Sequence, residues 1–244
     1  MGDCIIYTAG YTPATSYCIQ MLKQAGFTLL SEPSMHVTHL LLPVPSFSPD
    51  GMIIGGGNLR TLLTLLPGNI TVIGGNLDRP ELVGYATVDL LQDPHYLAMN
   101  AQITAHCAVK VALNQLPVTF DECPVLVIGW GRIGKCLTQL LRQIGAKVTV
   151  CARKETDRSI LEAMGYFAVD FHSVDLCQYR VVYNTVPTLL FPDCPGTALK
   201  IDLASRLGLG SSDVIWARGL PGKDAPESSG TLIAKTLIPL LGKE

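Results

Sequence analysis

Charge is scarce in this 244-residue chain: Lys, Arg, Asp and Glu make up 16% of it, and the formal net charge is −2. No basic block occurs, which argues against nucleic acid or an anionic membrane as a partner. No apolar run is long enough to span a bilayer. The cysteines at 4, 18, 107, 123, 136, 151, 177 and 194 include no Cys-x-x-Cys pair, and most sit in apolar segments. Reduced core thiols are therefore expected rather than a disulfide framework or a metal site. The opening Met1-Gly2-Asp3-Cys4-Ile5-Ile6 has no basic leader and no Ser or Thr at position 6, so neither export nor myristoylation is expected. The composition predicts a cytoplasmic protein. Apolar residues, by contrast, are plentiful at 48%, enough to build the core of one large or two small domains.

The most informative stretch is Gly129-Trp130-Gly131-Arg132-Ile133-Gly134. It follows the apolar run Val125-Leu126-Val127-Ile128 and precedes helical spacing at Ile133, Leu137, Leu140, Leu141 and Ile144, with Gly145 as the stop and Lys147–Val150 as the next strand. Gly-x-Gly-x-x-Gly between a strand and a helix is a dinucleotide-binding signature. Gly129 permits a tight turn, Gly131 leaves the backbone open to a pyrophosphate, and Gly134 lets helix and strand pack closely. The helix N-terminus offers unpaired N–H groups to phosphate.

Elsewhere, short apolar runs alternate with helical spacing. Strands are predicted near 4–7, 27–30, 38–42 and 69–73, with helices over 13–26 and 58–65. The glycine clusters 55–57 and 74–75 read as turns at strand ends or as loops approaching a ligand. Leu97, Ala101, Ala105, Ala108, Val109, Ala112, Leu113 and Leu116 trace one stripe of a long helix over 96–116. Asn100 and His106 lie on it. Six further strands, near 125–128, 147–151, 166–169, 180–184, 198–203 and 214–217, match the count of a doubly wound dinucleotide fold. Ser228-Ser229-Gly230 then opens a terminal helix, Thr231 to Leu241. The fold expected is α/β, with two doubly wound parallel-sheet domains joined by a long helix. The first comprises 1–95 plus 228–244 and is flavodoxin-like; the second is a Rossmann domain over 117–227.

An NAD site expects an acidic residue about 20 positions past the first glycine. Here that position is Cys151 or Ala152, followed by Arg153 and Lys154. A guanidinium suits a 2′-phosphate through charge-assisted hydrogen bonds. NADP is expected over NAD.

The series just described, continued by Asn184-Thr185-Val186-Pro187, Ile201-Asp202-Leu203-Ala204-Ser205 and Gly219-Leu220-Pro221-Gly222-Lys223-Asp224-Ala225-Pro226, resembles the family of dipicolinate synthase A subunits. The resemblance runs from about Leu97 to the C-terminus and is patchy before it. It implies a nicotinamide-linked oxidoreductase that works with a flavoprotein, the B subunit. Together such proteins make dipicolinate, the spore calcium chelator, from a lysine-branch intermediate. It also implies a small dicarboxylate substrate; a homo-oligomer is expected besides. Carried over by residue, it places the cofactor phosphates on Gly129, Trp130, Gly131, Arg132, Ile133 and Gly134. The 2′-phosphate falls near Ala152, Arg153 and Lys154, and the nicotinamide side near Asn184, Thr185, Val186 and Pro187. Ser205 and the Gly219, Leu220, Pro221, Gly222 loop would border the substrate, with Lys223 as a carboxylate partner.

The layout also resembles the D-2-hydroxyacid dehydrogenases. Those enzymes use a cleft arginine where this chain has Ser205, beside Arg206, and a late histidine; none follows His172. That acid–base pair cannot be built. Asn100 and His106 are the candidates left for moving protons. A cofactor-binding module that regulates a partner, without catalysis of its own, is the alternative reading.

Overall fold

A computed structural model describes residues 4–210 and 212–242. The Met1–Asp3 start, on which the reading of leader and lipid signals partly rests, lies outside the described residues. In chain order the elements are β1 (Ile5–Thr8), α1 (Pro13–Gln24), β2 (Thr28–Leu30), β3 (His39–Leu41), α2 (Leu59–Leu63), β4 (Thr71–Gly74), β5 (Ala86–Asp89) and α3 (Pro94–Leu113). There follow β6 (Pro124–Ile128), α4 (Arg132–Gln143), β7 (Lys147–Cys151), α5 (Glu155–Ala163), β8 (Phe167–Val169) and β9 (Val181–Asn184). The last are β10 (Leu199–Asp202), β11 (Ile215–Trp216), α6 (Leu220–Asp224) and α7 (Pro226–Leu240). The chain divides into two compact units, one of residues 1–100 with 221–244 and one of residues 101–220.

The first unit holds a five-stranded sheet in the order β2-β1-β3-β4-β5, all pairs parallel. This is the flavodoxin-like order, with its switch point between β1 and β3. Leu40, Leu42, Val72, Ile70 and Ile53 form the centre of its core. The edge strand β5 was not legible in the sequence: it is four residues long, Ala86 and Thr87 are both exposed, and burial does not alternate along it. Helix α7 packs on α1 so closely that a Cβ at Gly230 would lie 2.2 Å from the carbonyl oxygen of Ala14. It starts at Pro226, earlier than the Ser228–Thr231 expected, because proline fits the first turn of a helix and Glu227 there suits its dipole.

The glycine clusters of this unit are explained mainly by packing. A Cβ at Gly55 would sit 2.2 Å from the Tyr11 carbonyl oxygen, and one at Gly74 would sit 2.3 Å from Ser46 Oγ. Helix α3 begins two residues before the predicted start. Asp93 Oδ1 accepts the backbone N–H of Tyr96 at 2.6 Å, and Pro94 opens the first turn.

The second unit holds a six-stranded parallel sheet, β11-β10-β9-β6-β7-β8. Taken from the β8 edge, with the strands renumbered within the unit, this is 3-2-1-4-5-6, the dinucleotide-fold order, with the switch point between β6 and β9. Val125, Leu126, Val127 and Ile128 have no exposed surface. A central parallel strand is covered on both faces, which is why its sequence is continuously apolar. All eight cysteines are thiols rather than disulfides; Cys18, Cys107, Cys123, Cys151 and Cys194 are buried and Cys177 is exposed. No group of metal-ligating side chains occurs among the described residues, and no helix among them is long and apolar enough to cross a membrane.

Candidate dinucleotide site

The turn between β6 and α4 sits at the C-terminal end of the central strand. Gly129 has φ +103°, in the region that favours glycine, and a Cβ there would lie 2.4 Å from Thr185 Oγ1. At Gly134 a Cβ would lie 2.1 Å from the Gly129 carbonyl oxygen, so the bare residue sets how closely helix and turn approach. Gly131 differs from both: a Cβ there would meet nothing within 4 Å. No neighbour in the protein demands a glycine at this point; the open space is outside. Gly131 is also the N-cap of α4, and no side chain caps the helix. Its first N–H groups are left for an outside acceptor. Backbone and open space together form a cradle suited to a diphosphate.

A cleft of about 300 Å³ opens beside this turn. Gly129, Trp130, Ala152, Arg153, Lys154 and Asp157 line it on one side, with Phe171, Val186, Thr188 and Leu190 completing the wall. Arg153 and Lys154 are exposed, at the loop between β7 and α5. Arg158 does not stand out in the sequence. Its Nη1 donates to the carbonyl oxygens of Ala152 and Arg153, both at 2.9 Å, and so braces that loop. Asp157 carries no sequence signal either. A carboxylate lines the cleft all the same, from the first turn of α5. The Cys151 thiol beneath the loop is pushed up to about 12 by burial and remains protonated.

Trp130 is half-buried, its ring 6.4 Å from that of Tyr166, with Lys135 Nζ 5.7 Å from its centroid. Arg132 is exposed in the first turn of α4, and Ile133 is half-buried behind it. Thr185 donates through both N–H and Oγ1 to the Ile128 carbonyl oxygen, each at 2.9 Å. Val186 lines the cleft and Pro187 is exposed. Asn184 has no exposed surface. Its Nδ2 donates to Asp202 Oδ2 and to the Val186 carbonyl oxygen, both at 2.9 Å, and its Oδ1 accepts from the Val186 N–H at 3.0 Å. The Asn184 side chain therefore shapes the loop rather than facing the cleft.

Ser205 is exposed after β10. The expected open loop at Gly219–Gly222 is instead a turn of helix, α6, with Leu220 and Pro221 buried. Proline in the first turn costs no helical hydrogen bond, which allows this. Lys223 is exposed on that turn. His106 is exposed on α3 and lines a different cleft, with Gln102, Cys136 and Gln139, that shares no residue with the first. Asn100 is half-buried near the point where the chain passes from the first unit to the second.

These features define a two-unit parallel α/β protein whose second sheet has the dinucleotide-fold strand order. D-lactate dehydrogenase from Escherichia coli shares the fold with a TM-score of 0.59 and 13% identity, covering 97% of this chain and 95% of that one.

Within that class the chain is similar to the A subunit of dipicolinate synthase. It is 29% identical over 176 residues to that protein from Bacillus subtilis (strain 168), a match spanning 64% of this chain and only 58% of the relative's length. The crystal structure of the dipicolinate synthase A subunit from Bacillus halodurans superposes with a TM-score of 0.84 at 21% identity, covering 100% of this chain and 99% of that one. The corresponding crystal structure from Bacillus subtilis gives 0.78 at 20% identity, covering 99% and 96%. No family model matches the chain.

Proposed function

We propose that this chain is an NADP-linked oxidoreductase of the dipicolinate synthase type, working with a flavoprotein B subunit on a small dicarboxylate of the lysine branch. The observation that carries the reading is Gly131. Among the glycines of the turn, it is the one whose missing side chain faces open space beside an uncapped helix. The bound cofactor would supply a hydride acceptor, chemistry no side chain provides. The residues of this chain do the rest. The Gly129–Gly134 backbone binds the diphosphate, with Arg132 at its edge. Arg153 and Lys154, on the loop braced by Arg158, hold the 2′-phosphate. Thr185, Val186 and Pro187 border the nicotinamide end. Ser205 and the Gly219–Gly222 segment border the substrate, where Lys223 offers an ammonium to a carboxylate. The first unit is read as the substrate domain. His106 is left out of the chemistry because it lines another cleft. Asn100 is the candidate on α3 for positioning a proton.

The test has two parts. Calorimetric titration with NADP reads binding alone. Oxidation of dihydrodipicolinate with NADP, with the flavoprotein partner present, reads turnover. No heat of binding ends the proposal. Binding without turnover beside a competent partner would recast the chain as a regulatory cofactor-binding module.

A further inference from the structure

Asp157 is the third residue of α5, and it lines the same cleft as Arg153 and Lys154. The neighbouring Arg158 is committed elsewhere, its Nη1 donating to the carbonyl oxygens of Ala152 and Arg153. That commitment fixes the loop against the start of the helix. It brings cationic and anionic side chains to one small opening beside Gly129. Asp157 is partly buried and forms no ion pair among the described residues. Its carboxylate is thus not already neutralised by a cation of the cleft.

We infer that Asp157 is a specificity-determining residue of the dinucleotide site, acting against Arg153 and Lys154. This rests on the reading above, that a nicotinamide dinucleotide binds in this cleft. The chemistry at that end of the ligand is a choice between two groups. A vicinal diol donates hydrogen bonds, which a carboxylate accepts and a guanidinium cannot. A 2′-phosphate carries negative charge, which a guanidinium or ammonium attracts and a carboxylate repels. A cleft lined by one kind of residue selects one cofactor. This cleft is lined by both. The chain therefore accepts NADP and NAD, with NADP ahead by a narrow margin that Asp157 restrains.

The experiment measures dissociation constants for NADP and NAD by calorimetry, at one fixed ionic strength, for the wild-type chain and for Asp157→Asn, Asp157→Ser and Arg153→Ala. Removing the carboxylate is expected to tighten NADP about tenfold and to weaken NAD, opening the ratio between them. Arg153→Ala is expected to close it. A role confined to the helix start would lower the melting temperature and shift both constants together, or neither; that result overturns the inference. If Arg153→Ala weakens NADP while both Asp157 variants leave the ratio unchanged, the cofactor site stands and Asp157 is excluded from it. If the folded wild-type chain binds neither nucleotide, the cofactor reading falls and takes this assignment with it.

Discussion

Asn184 and Asp202 meet across neighbouring strands, Nδ2 to Oδ2 at 2.9 Å, with neither residue exposed. Each also holds the loop that follows its own strand. Asp202 Oδ1 accepts from the Ala204 N–H at 2.9 Å, and Oδ2 accepts from the Gly208 N–H at 2.8 Å. Asp202→Ala strands these buried donors. The expected loss is about 3 kcal/mol, since an unsatisfied buried group costs roughly 1–3 kcal/mol. Urea unfolding checks it; a loss under about 1 kcal/mol would show that water replaces the carboxylate.

The glycines of the turn separate folding from binding. Gly131→Ala adds a methyl group into open space, so the unfolding free energy should stay within about 0.5 kcal/mol of wild type. NADP affinity should nevertheless fall about a hundredfold, because the methyl group occupies the space assigned to the diphosphate. Gly134→Ala should lower stability and affinity together, as its Cβ would lie 2.1 Å from the Gly129 carbonyl oxygen. Equal effects on stability from both variants would refute this division.

Stability should fall at both ends of the pH scale. Burial holds His39 below its ordinary range, so the folded chain prefers the neutral ring. As pH drops through about 6.5, the unfolded chain takes up a proton that the folded one resists, and stability is lost. The Cys18 and Cys151 thiols are pushed up to about 12 by burial. Their contribution is complete below the ordinary thiol value near 8.5 and is lost as pH rises from there toward about 12. Thermal melts across this range should show a plateau near neutrality. His39→Asn should flatten the acid limb; an unchanged acid limb assigns it to other groups.

His106→Ala should leave NADP binding within about twofold of wild type, since substitutions at separated sites act independently. Calorimetry with the variant checks this. A tenfold loss would couple the α3 cleft to the dinucleotide turn.

Much of the architecture was legible because buried parallel strands such as Val125–Ile128 are continuous apolar runs, and because glycine marks the ends of α1 and α4. Strand β5 was not, since half of it faces solvent. The Gly129–Gly134 turn was legible because its three glycines lie within six residues of sequence. Asp157 and Arg158 were not, because it takes a turn of α5 to bring Asp157 to the cleft and Arg158 to the carbonyl oxygens of its loop. The Asn184–Asp202 pair depends on β9 and β10 being neighbours, and no local spacing reveals strand order. Gly219, Pro221 and Gly222 predict a loop where α6 lies, yet proline is tolerated in a first turn.

The seat of α7 on α1 bears on how the protein is made. The stretch through residue 100 leaves the ribosome early but lacks the segment at 226–240 that covers one of its helices. The contiguous unit of residues 101–220 can complete its own sheet during synthesis. The part translated first is therefore the last to be finished, and a nascent chain halted before residue 226 carries an uncovered apolar surface for chaperones to shield.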